Sequence, residues 1–140
     1  MTRRARIAFL TGGVLMAAGT LLPWATAQTW SGSFAVSGYD GHGAFETVLL
    51  AALVCALAFA RWEAGAVVAA AAAATWTAYL MWALPGALTS DGAYQAQLEL
   101  GAGMTTLGAF VVACAAGMVV LRHIEAGLVA ASARHTARRA

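Results

Sequence analysis

From Ala64 to Leu84 the chain runs for twenty-one residues without one charged side chain. A helix rises ~1.5 Å per residue, so about 20 apolar residues cross the ~30 Å hydrocarbon core of a bilayer. Three further runs have a similar character, at about Ile7–Ala27, Ala44–Ala60 and Leu98–Leu121. Of the 140 residues, 61% are hydrophobic and 10% are charged, against roughly 25% charged in soluble proteins. A soluble domain this small buries too little of its surface to hide so much apolar area. The expected fold is an all-α membrane protein, one domain built as a four-transmembrane-helix bundle.

Charge then orients the runs. The eight arginines are Arg3, Arg4, Arg6, Arg61, Arg122, Arg134, Arg138 and Arg139. With four spans, all of them fall on one side, which the positive-inside rule makes the cytoplasm. Both termini are then cytoplasmic, and the loops 28–43 and 85–97 face outward. Arg61-Trp62-Glu63 leaves room only for a tight turn, so the flanking helices are antiparallel neighbours. The tail 122–140 carries four of the arginines and suits the anionic cytoplasmic leaflet; so few charges do not suggest nucleic acid. A rival reading of the first run is a signal peptide with a small-residue cut at Ala25-Thr26-Ala27. Its apolar part exceeds the usual ~7–15 residues, and Trp24 suits an interfacial anchor.

The polar stretch between the first two runs concentrates the candidate chemistry. Asp40, His42 and Glu46 are the one close group of possible metal ligands or acid–base residues. Asp40-Gly41 is also a turn signature, and Glu46 complements the start of the second helix. The turn and helix-start reading is preferred, with a metal or ligand sensor as the lesser alternative. Thr29-Trp30, a Ser31-Gly32 turn and Ser33–Val36 are expected to form a β-hairpin. Trp30, Phe34 and Tyr39 would then present aromatic side chains to a partner. Trp76, deeper in the third span, is a further candidate contact.

Helices in lipid associate through close packing at small residues. Gly13 and Ala17 in the first span, Gly65, Ala69 and Ala73 in the third, and Gly108, Ala113 and Gly117 in the fourth are the expected packing positions. Cys55 and Cys114 lie in apolar runs and match no metal or disulfide framework. No nucleophile, phosphate-loop or zinc-protease motif occurs. The expectation is a chain that is not an enzyme and uses no cofactor.

Leu22-Pro23-Trp24-Ala25, followed by Ser37-Gly38-Tyr39-Asp40-Gly41-His42-Gly43 before an apolar helix, resembles a known pattern. Small, mostly uncharacterised four-span membrane proteins of actinobacteria carry LPW after the first span and S-G-x-D-G-x-G before the second. The resemblance covers roughly the first sixty residues. It implies a multi-pass protein of the bacterial cytoplasmic membrane and brings no activity or catalytic residue. Together these readings favour an accessory or scaffold subunit of a larger membrane complex, or a homo-oligomer. The alternative is a small transporter or channel subunit. It is motivated by an echo between the two halves, where Asp40-Gly41 and Glu46 correspond to Asp91-Gly92 and Glu99.

Overall fold

A computed structural model describes residues 1–37, 43–90 and 95–137. These residues form helices α1 (Arg3–Thr20), α2 (Ala44–Phe59), α3 (Glu63–Ser90) and α4 (Leu100–Ala137), with strands β1 (Pro23–Thr29), β2 (Gly32–Ser37) and β3 (Gln95–Leu98). The strands make one antiparallel sheet in the order β2-β1-β3.

This overturns the expected four-transmembrane-helix bundle. Among the described residues two helical stretches, Glu63–Leu84 and Leu100–Ser132, are long and apolar enough to cross a membrane. The other two helices fall short for different reasons. The 18 residues of α1 include three arginines. The 16 residues of α2 extend only about 24 Å at ~1.5 Å each, less than a ~30 Å core.

The first expected span also breaks where it was to continue. Thr2 caps α1, its hydroxyl accepting from the Ala5 amide at 3.4 Å, and the helix stops at Thr20. Pro23 lacks the N–H that a continuing helix needs. The threonine-bearing Pro23-Trp24-Ala25-Thr26-Ala27-Gln28-Thr29 becomes instead the central strand of the sheet. Residues 95–98, placed by sequence across the border of the fourth span, form its third strand. The hairpin turn sits one residue earlier than expected. Thr29 pairs with Gly32, leaving Trp30-Ser31 as the loop. Gly32 has φ 141°, a region that a residue with a Cβ rarely adopts.

Two helices outlast their expected ends. α3 passes Pro85 and reaches Ser90. Leu84 packs there on Ala25 and Ala27 of β1, so the sheet supports the end of the helix. α4 continues past Leu121, through a stretch that has no proline and is rich in good helix formers such as Ala.

The four helices pack cyclically, α1 against α2 and α4, and α3 against α2 and α4. Phe9, Met16, Val54, Val112 and a layer of alanines fill the centre. The molecule has two unlike ends. At one, the Arg122 guanidinium donates to the Thr2 hydroxyl at 3.0 Å, and Arg6 lies 5.1 Å over the Phe59 ring. Glu63 pairs there with the Met1 amine and, at 3.5 Å, with His123. The sheet occupies the other end.

Candidate functional site

The sheet end is assembled around the junction of α1, β1 and α4. Trp24 is 4% exposed, and its indole N–H donates to the Gly19 carbonyl at 3.0 Å. The Trp24 carbonyl accepts from the Glu99 amide at 2.8 Å. One residue pair further, the Thr26 hydroxyl donates to Glu99 Oε1 at 2.8 Å. Trp24 is therefore a buried bolt between bundle and sheet rather than the interfacial anchor its position suggested. Ala25-Thr26-Ala27, the candidate cleavage site, lies within the central strand, with both alanines buried.

The outer strand β2 is different in character. Gly32 to Ala35 are exposed, and the strand GSFAVS carries no charge. Phe34 is 38% exposed, while Trp30 at the hairpin tip is 94% exposed. Natural edge strands are usually blunted with charge, proline or a bulge. On β2 there is neither charge nor proline. Tyr39, Asp40 and His42 lie outside the described residues.

Glu46 lies in the first turn of α2, with one carboxylate oxygen buried and without a hydrogen-bond partner among the described residues. No group of three His, Cys, Asp or Glu able to hold a metal occurs among the described residues. Trp76 does reach another helix. Its indole N–H donates to the Thr47 hydroxyl at 3.2 Å, and that hydroxyl donates to the Gly43 carbonyl at 2.6 Å. A Thr47→Val change would strand the half-buried indole donor, at about 1–3 kcal/mol. Trp76→Phe removes both the donor and the need for it and should cost less. Thermal melts of the two variants check that order.

The expected packing positions are spread over several roles. Gly13 faces α2, where an added Cβ would come 2.5 Å from Cys55 Sγ and 3.1 Å from the Ala51 carbonyl. Ala17 is packed against the core, and Ala69 and Ala73 are buried within it. The space beside Gly65 is filled by the ring of Trp62, and Gly117 meets nothing within 4 Å. Ala113 lines a groove between α3 and α4. Cys55 contacts the Leu10 carbonyl at 3.9 Å, and both cysteines are free thiols.

Two glycines of α4, Gly101 and the expected packing position Gly108, lie against backbone atoms where α4 crosses α1 and the turn that follows it. A Cβ on Gly108 would lie 2.5 Å from the Gly12 carbonyl and 2.7 Å from the Met16 amide. One on Gly101 would lie 2.5 Å from both the Leu22 and Pro23 carbonyls. Gly12 and Gly19 are seven apart on α1, as are Gly101 and Gly108 on α4. That shared interval was the signal.

No family model, curated protein or solved structure matches this chain.

Proposed function

We propose that the chain is a non-catalytic, membrane-embedded accessory protein, inserted by α3 and α4, whose sheet end docks onto a partner in the same membrane. The carrying observation is β2, an uncharged edge strand, exposed from Gly32 to Ala35, that carries Phe34 and adjoins the Trp30 tip. Edge strands offer unpaired backbone groups to an incoming strand, and aromatics supply contact area at low entropic cost.

A photo-crosslinking residue at Ser33, in native membranes, is expected to capture one discrete protein. The same probe at Val68, exposed on the helical body, should not capture it. Phe34→Asp should abolish the adduct while leaving the melting temperature nearly unchanged, because the side chain is already partly exposed. Recovery of only diffuse lipid adducts at Ser33 would sink the proposal.

The orientation proposed is the arginine end in the cytoplasm and the sheet outside. Arg6, Arg61 and Arg122 share one end with the start of α3, as the positive-inside rule favours. A reporter inserted after Ser31 should act as extracytoplasmic, and one fused after Arg134 as cytoplasmic. The reverse pattern would invert the assignment.

A further inference from the structure

The two membrane-length helices leave an open groove between them at the sheet end. Its upper part, of about 600 Å³, includes Met81, Glu99, Gly103, Thr106 and Phe110. A lower part of about 260 Å³ shares Met81, Thr106 and Phe110 and adds Thr77 and Ala113. Together they run along α4 from Glu99 to Ala113, about 21 Å at ~1.5 Å per residue. That covers one leaflet, whose hydrocarbon is about half of ~30 Å deep.

The walls offer a free polar group only at the mouth. Glu99 stands at the mouth, where one carboxylate oxygen accepts from Thr26. No cation pairs with Glu99 among the described residues. Lower in the groove the Thr106 hydroxyl turns back onto the Ala102 carbonyl at 2.8 Å, and the Thr77 hydroxyl is buried away from the groove surface. A ligand suited to this groove carries a cation at the mouth and a hydrocarbon chain below it. An amine-headed glycerophospholipid has that order of groups: an ammonium at the head, then the phosphate and glycerol, then the acyl chain.

We propose that the α3–α4 groove holds one acyl chain of an amine-headed glycerophospholipid, with its ammonium on Glu99. The inference rests on the membrane reading above, and carbonate extraction of the same membranes separates the two. Extraction as a soluble protein overturns both, whereas firm retention leaves the membrane reading in place whatever the lipid result.

The test is native mass spectrometry of the full-length protein, exchanged into detergent with phosphatidylethanolamine or phosphatidylglycerol. One phosphatidylethanolamine is expected to be retained, with at least tenfold preference over phosphatidylglycerol. Glu99→Gln keeps an oxygen for the Thr26 hydroxyl and should erase that preference. Gly103→Phe fills the groove from a position where an added Cβ meets nothing within 4 Å, so it should abolish retention without loss of fold. Equal retention of both lipids, an unchanged preference in Glu99→Gln, or continued retention in Gly103→Phe would each overturn the proposal. So would a dimer that buries the groove and carries no lipid.

Discussion

Gly108→Leu is expected to cause the largest loss of stability of any single substitution on α4. The added Cβ would sit 2.5 Å from the Gly12 carbonyl and 2.7 Å from the Met16 amide. Both are backbone atoms of the facing helix, so no rotamer change can relieve the clash, and α1 must move away from α4. Overpacking costs about 1–3 kcal/mol where side chains can yield, and more where they cannot. A small protein holds only about 5–15 kcal/mol in total, so a large share of the fold is at stake. Lipid-embedded helices depend on this kind of close approach because lipid is as apolar as they are. Gly108→Ala should show a smaller loss, since it brings the Cβ without the rest of the side chain. Gly117→Leu is the matched control, on the same helix with nothing within 4 Å. Detergent-titrated unfolding of the three variants measures the effect. If Gly108→Leu unfolds at the same point as Gly117→Leu, the crossing does not hold α1 in place.

The helices and the sheet differ in how far sequence reasoning reaches them. The length and apolarity of α3 and α4 are local properties, and a count of uncharged residues finds both. The sheet is a property of pairing. Pro23–Thr29 follows an apolar run closely enough to look like its end, and Gln95–Leu98 is too short to carry a period of its own. Only the register, Ala25 to Leu98 on one side and Ala25 to Val36 on the other, joins segments some seventy residues apart in sequence. The four-span expectation failed for this reason. It extended α1 through residues that belong to a strand, and it gave α2 a span that its sixteen residues cannot cover. Packing followed a similar course. A spacing of four on α3 drew attention to its alanine stripe, and Gly65 on that stripe turned out to lie under Trp62. The interval of seven common to α1 and α4 lay in plain view but gains meaning only once the two helices are known to meet. Asp40 and His42, prominent as potential ligands, are outside the described residues.

The second large effect is expected at Trp24, where the sheet joins the bundle. Trp24→Ala removes a side chain that is 4% exposed and should cost about 3–5 kcal/mol, the usual range for truncating a buried aromatic. The damage should be local first. Trp24 touches Gly19 at the end of α1 through its indole and Glu99 at the start of α4 through its carbonyl. Losing the ring therefore loosens the sheet before the helical core of Phe9, Met16, Val54 and Val112. Limited proteolysis should cut Trp24→Ala within β1 and β2 while leaving a protected fragment that runs from α2 through α4. Trp24→Phe separates packing from hydrogen bonding. The Gly19 carbonyl also accepts from the Leu22 amide at 3.3 Å, so removing the indole donor does not orphan it, and the loss should be near ~1 kcal/mol. Trp30→Ala, at a 94% exposed position, should fall within about 0.5 kcal/mol of the parent. The order Trp24→Ala, Trp24→Phe, Trp30→Ala thus ranks the two tryptophans by role, one anchoring the sheet and the other exposed at its tip. A Trp24→Ala variant as resistant to protease as Trp30→Ala would show that the sheet is held by something other than this junction.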